Sequence, residues 1–565
     1  MCSICGGNLG EEQVKKASLL MAHRGRDSSG IYADSHITLA HNRLAIIDLS
    51  KSGNQPMKHG NLVLILNGEI YNYRELKEGL RALGEEFVGS SDTEVLLHAL
   101  ARYGLEATLE RLNGDFAFAL YDERAKKLTL ARDRLGNKPL YLYYEGGNLL
   151  FASSASAIAK VLKLGFDEVE VNNNILFGFG SENHTIYSGI SSFPAGCFAE
   201  FDCRECTLKF TRYWDLGDRT KDKIAPTEDV GQYLDEFEAL LLNALEIRMR
   251  ADVNVGMAVS GGLDSSLLAA LAKDRFPRLQ YFGIGYEYDK NADESAFIRH
   301  LGKLLGIKVN LIQPNISGIK TDFQALIKAH GELFRNLSIY AQYCLFRELS
   351  RSCKVSLSGQ GADELFGGYY HHVARYIYGD AQEYAKRVKL YKESARSEYE
   401  MGKKCNLDRE SKLESLKHDN SAFMKYLPFD VDVLWGELAK KFIPDFSEAL
   451  LGDTLRFSLP LLLRYEDCNA MNFGVENCAP FTDYRVVEFA HRLPESWKIA
   501  QGYTKYFLRK LSERYLDNKL VWRLDKRGFS APEEAWGREL GLVAFSPFFI
   551  RLAIFEELRR GHDLD

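Results

Sequence analysis

The chain has 565 residues, of which 46% are hydrophobic and 27% charged, and its 72 basic and 78 acidic residues give a net charge of −6. This length predicts two or more domains, and the composition is typical of a soluble globular protein. The nearly balanced charge gives no sign of a nucleic-acid-binding tail or a polybasic membrane patch, so we expect small-molecule partners rather than nucleic acid or a membrane.

Targeting signals and cysteine usage point to a cytoplasmic protein. The sequence shows no basic segment followed by an apolar one near residue 1, and no apolar run approaches the roughly 20 residues that cross a bilayer. The ten cysteines are scattered along the chain and predict reduced thiols rather than a disulfide framework. Cys2 and Cys5 have the spacing of a metal-binding pair, but no second pair follows at finger distance, which disfavours zinc.

Residues 1–215 predict an α+β domain that is rich in antiparallel strands. Short apolar segments closed by Gly, Asn and Asp turns occur at 62–66, 116–121, 128–131 and 149–152. Between them, Ser91 and Asp92 are candidate caps of a helix. Residues 216–229 are polar and contain Gly and Pro, so they predict a linker.

Residues 230–565 predict an α/β domain. After an amphipathic helix, apolar strands alternate with helices up to the segment "KVSLS", which predicts a parallel sheet with helices on both faces and ligands beyond the carboxyl ends of its strands. The chain from about Tyr370 is predicted to be mainly helical, with most charge in residues 382–420.

The segment "SGGLDSS" carries the clearest chemical signal. It follows an apolar strand and leads into a helix, so Gly261 and Gly262 predict a turn whose N–H groups bind phosphate. The lysine of a Walker A loop is missing. Asp264 repels phosphate unless a cation lies between them, which indicates Mg²⁺. A capped glycine turn is the structural alternative, and the strand-to-helix context favours a nucleotide.

These residues match the pyrophosphate-releasing signature of the asparagine synthetase (glutamine-hydrolysing) family, and the resemblance extends over nearly the whole chain. It implies an αββα amidotransferase domain of the N-terminal-nucleophile hydrolase type in residues 1–215, a linker at 216–229, and an ATP-binding synthetase domain of the pyrophosphatase type in 230–565 with a helical C-terminal part. The opening "MCSICGG" implies that Cys2, once Met1 is removed, is a nucleophile with its own α-amine as base.

The resemblance also implies a glutamine site. In "LNGEIYNY", the Asn67 side chain and the Gly68 N–H resemble an oxyanion hole, although Asn-Gly alone is typical of a hairpin turn. Glu69 and Asp92 match positions that hold the substrate ammonium group, and by themselves they would be a solvated acid and a helix cap. In "HNRLAIIDLS", the α-carboxylate would be bound by Arg43, with contacts from Leu44, Ala45, Ile46 and Ile47.

In the second domain the resemblance implies an ATP site and a Mg²⁺ site. Asp264 and Asp363 resemble two carboxylates that hold Mg²⁺ on pyrophosphate. Taken alone, Ala258 and Ile284 fit strand core equally well, and Lys505 fits a solvated lysine. The implied ATP contacts are Ala258, Ser260, Gly261, Gly262, Asp264, Ser265, Ile284, Ser358, Gly359 and Lys505.

The sequence departs from the family at the expected acceptor pocket, for which the candidates are Gln360, Glu332 and Asp363. In "SGQGADELFGGY", Gln360 stands where an acid is usual, and a carboxamide forms hydrogen bonds but does not take a proton. Cys468 and Cys478 stand where arginines are usual. Gly331 and Asn336 replace acids next to the retained Glu332.

The resemblance therefore implies a glutamine-dependent asparagine synthetase that uses ATP and Mg²⁺. Glutamine would be hydrolysed to glutamate and ammonia, the side-chain carboxylate of aspartate activated as an acyl-adenylate with release of pyrophosphate, and the adenylate amidated with release of AMP. Two alternatives stay open: the same chemistry on another carboxylate, such as a uronic acid or a tailoring substrate, and a non-catalytic glutamine-sensing or assembly subunit. A homodimer is one assembly that the sequence allows.

Overall fold

A computed structural model describes residues 2–226, 230–378, 383, 385–387, 389–390, 409–435, 445–524, 531–542 and 546–563. Residues 227–229 of the predicted linker and most of the predicted charged stretch 382–420 lie outside the described residues. No helix in the described part of the chain is both long enough and apolar enough to span a membrane.

The N-terminal domain is built on two six-stranded antiparallel sheets. The strands are β1 Ser3–Gly7, β2 Ser28–Ala33, β3 Thr38–Arg43, β4 Met57–His59, β5 Leu62–Ile70, β6 Gly114–Asp122, β7 Lys127–Arg132, β8 Tyr141–Glu145, β9 Asn148–Ala152, β10 Ile190–Ser192, β11 Cys197–Asp202 and β12 Thr207–Arg212. The first sheet has the order β10-β8-β9-β1-β3-β2, and the second has the order β12-β11-β7-β6-β5-β4. All four strands predicted in this half lie within β5, β6, β7 and β9.

The two sheets stack face to face and helices cover their outer faces. Ile4 and Leu39 of the first sheet share one buried core with Ile65 and Ala117 of the second. The helices of this half are Glu11–Leu20, Tyr73–Ala82, Asp92–Tyr103, Leu105–Arg111, Ala155–Leu162 and Glu168–Phe177, with a 3₁₀ turn at Lys51–Gly53. Glu11–Leu20 packs on β1 and β3, and Asp92–Tyr103 packs on β5. This layering confirms the predicted αββα fold.

Residues 216–226, within the predicted linker, are partly structured. Leu216–Arg219 forms a helix whose first turn is capped by the Asp215 carboxylate, which accepts a hydrogen bond from the Asp218 N–H at 3.2 Å. Leu216 is buried, and the Ile224 N–H donates to the carbonyl of Arg492 at 2.8 Å. Two apolar side chains in an otherwise polar segment account for this packing.

The second domain contains a five-stranded parallel sheet, as predicted, with the order β15-β14-β13-β16-β17. Its strands are β13 Val255–Ala258, β14 Gln280–Ile284, β15 Val309–Ile312, β16 Val355–Leu357 and β17 Glu476–Cys478. The sequence pattern did not predict β17, because the strand has three residues, two of them polar, and pairs with β16 over 120 residues earlier.

Helices surround this sheet and form most of the remaining chain, which confirms the predicted helical C-terminal part. They are Gly231–Arg248, Leu263–Ala272, Ser295–Leu305, Gly318–His330, Ser338–Leu349, Ala362–Phe366, Tyr370–Tyr378, Arg409–Met424, Phe446–Gly452, Leu459–Asn472, Tyr484–Arg492, Glu495–Lys498, Tyr506–Ser512, Asn518–Val521, Glu533–Glu539 and Pro547–Asp563. A π-helical turn, Asp453–Phe457, precedes Leu459–Asn472, and a 3₁₀ turn covers Pro480–Thr482.

Candidate functional sites

Cys2 lies buried at the start of β1, next to the end of β3. Its backbone N–H donates to the Asn67 side-chain oxygen at 3.1 Å, and its Sγ lies 3.9 Å from the Leu44 carbonyl. Burial raises the pKa of the Cys2 thiol to about 11. A thiol in this state is a poor nucleophile unless a base removes its proton.

Asn67 and Gly68 lie within β5 rather than in a turn, so the hairpin that Asn-Gly suggests on its own does not form. Gly68 pairs with Phe116 of β6 and has a φ of 128°. A Cβ at this position would lie 2.0 Å from the Asp115 carbonyl oxygen, so only glycine fits. The residue therefore brings bare backbone next to Asn67, whose amide Nδ2 lies 3.5 Å from Ser153 Oγ.

Glu69 and Asp92 place two buried carboxylates near each other. Asp92 accepts hydrogen bonds from the N–H groups of Ile70 and Thr93, each at 2.9 Å, while Glu69 Oε2 has no partner within the described residues. Burial raises the pKa of Asp92 to about 6, and burial together with the charges of Asp92 and Glu476 raises the pKa of Glu69 well above its usual value. A cationic group of a ligand would offset the free-energy cost of keeping these two buried carboxylates ionised.

Arg43, at the end of β3, is buried without a carboxylate partner among the residues described. Its guanidinium donates to the Ser50 carbonyl at 2.7 Å, to Asn54 Oδ1 at 2.9 Å and to the Asp48 carbonyl. A Cβ on Gly53 would lie 2.1 Å from Arg43 Nη2, so this glycine makes room for the cation. A fixed, uncompensated guanidinium suits a ligand carboxylate.

The segment 44–47 connects the Cys2 site to the second domain. All four residues are buried: Leu44, Ala45, Ile46 and Ile47. The Ile46 carbonyl accepts a hydrogen bond from the N–H of Asp252 at 2.9 Å, and the Asp48 N–H donates to the Asp252 carboxylate at 2.9 Å. The wall of the Cys2 site is thus fixed by contacts with the chain that leads into β13.

Two buried ion pairs join the domains beside Cys2. Arg24 donates to both carboxylate oxygens of Asp467, at 2.8 and 3.1 Å, and its Nε lies 3.4 Å from the Cys2 carbonyl. Lys138 Nζ lies 2.6 Å from Glu476 Oε1, and both side chains are 1% exposed. Nothing in the local sequence marks Arg24 or Lys138, because their partners are more than 330 residues away.

The glycine loop of the second domain has the predicted strand-to-helix form. It follows β13 and precedes helix Leu263–Ala272, whose N-cap is Gly262. The Ser260 N–H donates to Ser265 Oγ at 3.1 Å, which folds the loop over the first helical turn. Gly261 has a φ of 69°, and a Cβ there would lie 2.8 Å from Phe297 Cβ. The loop is therefore built for an anion at a helix N-terminus.

Lys505 lies between the two predicted Mg²⁺ ligands. Its Nζ is 2.6 Å from Asp264 and 2.5 Å from Asp363. Burial lowers the pKa of Lys505, but the charges of the two carboxylates outweigh this effect and raise the pKa above its usual value. A Cβ on Gly368, in the second glycine pair of "SGQGADELFGGY", would lie 1.8 Å from Asp363 Oδ1, so glycine is needed for this arrangement. Two carboxylates that converge on one cation are a donor set that Mg²⁺ accepts.

A cavity of about 560 Å³ opens beside this loop, which is a size typical of small-molecule sites. Nine predicted residues line it: Ala258, Ser260, Asp264, Ser265, Ile284, Ser358, Gly359, Gln360 and Asp363. The cavity is also lined by polar residues that the sequence does not mark as part of this pocket, among them Arg335, Gln342, Tyr369, His371, Asp453 and Glu466. Asn336, one of the departures from the family pattern, also lines it.

Glu332, predicted as an acceptor-site candidate, lies elsewhere. Its Oε2 is 2.6 Å from Arg464 Nη1 and accepts a hydrogen bond from the Tyr141 hydroxyl at 3.2 Å. It faces a separate cavity of about 290 Å³ between residues of the two domains. Of the two unusual cysteines, Cys478 lies with its Sγ 3.5 Å from the Ser356 carbonyl, and Cys468 lies 4.0 Å from the His330 carbonyl.

Among the described residues, two clusters of side chains that the sequence does not mark as ligands have the geometry for a metal ion. His371 and His372 both donate to Asp453 Oδ2, at 2.5 and 2.9 Å. The Tyr369 N–H points to His372 Nδ1 at 3.4 Å, so the proton of this imidazole is on the Nε2 that faces Asp453. This arrangement favours a hydrogen-bonded network over metal ligation. The second cluster is His59, Glu85 and His98, on the N-terminal domain.

Comparisons with known proteins match both halves of the chain. The family described as "Glutamine amidotransferase domain" matches residues 1–214, and the family "Asparagine synthase" matches residues 236–544. A "Putative asparagine synthetase [glutamine-hydrolyzing]" of Mycobacterium tuberculosis (strain ATCC 25618 / H37Rv) is 31% identical, covering 93% of this chain and 85% of its own. The "Amidase chry2" of Gibberella zeae is 26% identical, covering 93% of this chain and 86% of its own.

Among solved structures, a glutamine phosphoribosylpyrophosphate amidotransferase from B. subtilis is 16% identical, with a TM-score of 0.30 over 64% of this chain and 82% of the other. The sequence matches cover both the Cys2 site and the glycine loop with its cavity. The chain therefore belongs to the asparagine synthase family and carries the family's glutamine amidotransferase domain at its N-terminal end.

Proposed function

We propose that this protein hydrolyses glutamine, activates a carboxylate with ATP, and amidates it with the ammonia released. The observation that carries the proposal is the link between two built sites. Arg24 joins the carbonyl of Cys2 to Asp467, and helix Leu459–Asn472, which contains Asp467, also carries Glu466 of the ATP-sized cavity. Aspartate is the acceptor that the family implies.

In the first site, the chain's own residues supply each element of amide hydrolysis. The Cys2 thiol would attack the side-chain amide of glutamine with its α-amine as base. Asn67 Nδ2 and the Gly68 N–H would stabilise the oxyanion. Arg43 would bind the substrate carboxylate, and Glu69, whose Oε2 has no partner among the described residues, would bind the ammonium group.

In the second site, the glycine loop would hold the nucleotide phosphates while the acceptor lies in the far part of the cavity. Asp264 and Asp363 would hold Mg²⁺, which when bound neutralises charge on the phosphates. Lys505, fixed by the same two carboxylates, would donate to phosphate oxygens. The acceptor carboxylate would attack the α-phosphate and form an acyl-adenylate, with pyrophosphate as leaving group.

The Glu69→Gln variant is expected to bind glutamine more weakly and to unfold at a higher temperature. The loss of one charge-assisted hydrogen bond of about 1.5–3 kcal/mol raises the KM for glutamine by about 10- to 100-fold. Because the Glu69 pKa is raised in the folded protein, ionisation of Glu69 destabilises the fold above its usual pKa, and the neutral amide removes this cost at pH 7.

Steady-state glutaminase kinetics and thermal unfolding of the same preparations test this prediction. Glu106→Gln, a change on the exposed face of helix Leu105–Arg111, is the control. An unchanged KM for glutamine in the Glu69→Gln protein would contradict the assigned role.

A second acceptor class, a carboxylate other than aspartate, is favoured by the side chain at position 360. Gln360 lines the cavity where the family usually has an acid. An amide there hydrogen-bonds to hydroxyl groups as well as to amines, which suits a sugar acid. A non-catalytic role has less support. The chain keeps Cys2, the glycine loop, and the contacts of Lys505 with Asp264 and Asp363, which a protein without catalytic activity would not need.

Acceptor-dependent release of pyrophosphate from ATP distinguishes the two acceptors. If a sugar acid is the natural acceptor, the unchanged protein should use aspartate poorly. The Gln360→Glu variant is then expected to release pyrophosphate with aspartate at least about tenfold faster, because the new carboxylate pairs with the ammonium group of aspartate. Gln342→Glu, which adds the same charge to another wall of the cavity, is the matched control. Fast release with aspartate by the unchanged protein, and none with glucuronic acid, would eliminate the second acceptor class.

A further inference from the structure

The amide-forming step of the proposed reaction needs a proton acceptor that Gln360 cannot supply. When ammonia attacks the activated carboxyl carbon, a C–N bond forms, the C–O bond to AMP breaks, and the attacking nitrogen loses a proton. Gln360 lines the cavity, but a carboxamide is not a base at neutral pH. General-base catalysis of this step therefore needs another group in this cavity.

Among the residues that the structure describes, five carboxylates line the cavity, and four of them are already committed to N–H donors. Asp264 and Asp363 share Lys505, Glu294 pairs with Arg523 at 3.1 Å, and Asp453 accepts from His371 and His372. The fifth is Glu466, whose partners are both neutral.

Glu466 is buried and turns one oxygen toward its neighbours. The hydroxyl of Ser358 donates to Oε2 at 3.0 Å, and the side-chain amide of Asn477 donates to the same oxygen at 2.6 Å. Oε1 has no hydrogen bond within the residues that the structure describes. Burial raises the pKa of Glu466 to about 7, the two hydrogen bonds act in the opposite direction, and no charged neighbour contributes. A carboxyl group of this kind transfers protons efficiently near neutral pH.

The position of Glu466 also fits the arrival of ammonia. Ser358 belongs to the loop that carries Gln360, and Asn477 belongs to β17, next to Glu476. Lys138 of the N-terminal domain contacts this strand twice, at the Asn477 carbonyl and at the Glu476 carboxylate. Glu466 thus lies between the nucleotide loop and the strand that faces the Cys2 domain.

We infer that Glu466 accepts the proton from the attacking nitrogen in the amide-forming step, in place of the acid that is missing at position 360. This inference rests on the proposed function. Glu466 Oε1 takes one proton as the C–N bond forms, AMP leaves with the electron pair of the C–O bond, and the proton then passes to water.

The Glu466→Gln variant tests this role when activation and amidation are measured separately. Exchange of labelled pyrophosphate into ATP reports activation, and amide formation from ammonium chloride reports the second step, each with aspartate and with glucuronic acid. We expect exchange to stay within about twofold of the unchanged protein and amide formation to fall by about 10²- to 10⁴-fold.

The pH dependence gives a second readout. In the unchanged protein, amide formation at a fixed concentration of free ammonia should fall as the pH drops below about 7, because protonated Glu466 accepts no proton. In the Glu466→Gln variant, the rate of amide formation should no longer fall below pH 7. The double variant Glu466→Gln, Gln360→Glu should recover part of the rate.

Glu364→Gln is the matched control. Glu364 is also buried with a pKa raised to about 7, but it bonds to Tyr369 and Ser458 and does not line the cavity. Thermal unfolding of each variant reports that it is folded. The Glu466→Asp variant, which keeps a base, should retain the fall in rate below pH 7.

Three results would overturn the inference. Amide formation by Glu466→Gln at the normal rate and with the normal pH profile would refute it and leave the proposed function intact. Equal loss of exchange and amidation would assign Glu466 to acceptor binding instead. Absence of exchange in the unchanged protein with both acids would refute the proposed acceptors and the inference together.

Discussion

The Cys2→Ala protein is expected to lose glutamine hydrolysis by more than about 10³-fold, because the nucleophile is removed and no other group forms the thioester. It should still make the amide from supplied ammonia at close to the normal rate, since the ATP cavity is built from the other domain. The measurement is glutamate release from glutamine beside pyrophosphate release with ammonium chloride.

Cys5→Ala is the control for this variant. Cys5 is also a buried thiol of β1, three residues away, but its Sγ lies 3.5 Å from the Val14 carbonyl on the side away from Asn67 and Leu44. It should keep glutaminase activity. Full glutaminase activity in Cys2→Ala would show that the nucleophile is a different residue.

The Lys505→Met protein is expected to lose carboxylate activation and to keep glutamine hydrolysis, which is the reverse of the Cys2→Ala result. Loss of the cation between Asp264 and Asp363 removes a fixed donor for the phosphates and leaves the two carboxylates facing each other. Pyrophosphate exchange should therefore fall by about 10²- to 10³-fold, the cost of one preorganised donor, and amide formation should fall with it whether glutamine or ammonia is the nitrogen source. Glutamine hydrolysis should change little, because Cys2, Asn67 and Arg43 belong to the N-terminal domain and none of the contacts of Lys505 involves them.

Lys510→Met provides the comparison for Lys505→Met. Lys510 lies on helix Tyr506–Ser512, whose N-cap residue is Lys505, and forms a surface ion pair with Glu513. Its loss should leave pyrophosphate exchange unchanged, because surface ion pairs contribute about 0–1 kcal/mol. Unchanged exchange in Lys505→Met would remove this residue from the phosphate site.

The parts of the site that follow from local sequence could be predicted. The glycine loop at Ser260–Ser266 was identified because strand, turn and helix are adjacent in the chain, and the helix cap at Ser91 follows from one side chain. Asn67 and Gly68 show the limit of such reasoning. Their dipeptide suggests a hairpin turn, but pairing with β6, over 45 residues later, keeps them inside a strand.

The parts that depend on tertiary contacts could not be predicted. Glu466 is an ordinary acid in a helical pattern, and its importance appears only when Ser358 and Asn477 are seen to bond to one of its oxygens. Lys138 is not marked by any motif in its local sequence, and its partner Glu476 is in the other domain. No periodicity relates residues that the fold brings together across hundreds of positions.

The most direct test of the whole account is the transfer of the glutamine amide nitrogen. The protein would be incubated with glutamine labelled with ¹⁵N in its side-chain amide, ATP, Mg²⁺ and either aspartate or glucuronic acid, and the products analysed by mass spectrometry. We predict a ¹⁵N-labelled amide of one of the two acids, with one AMP and one pyrophosphate formed for each amide. Release of labelled ammonia with no labelled amide, or formation of ADP and phosphate in place of AMP and pyrophosphate, would contradict the account.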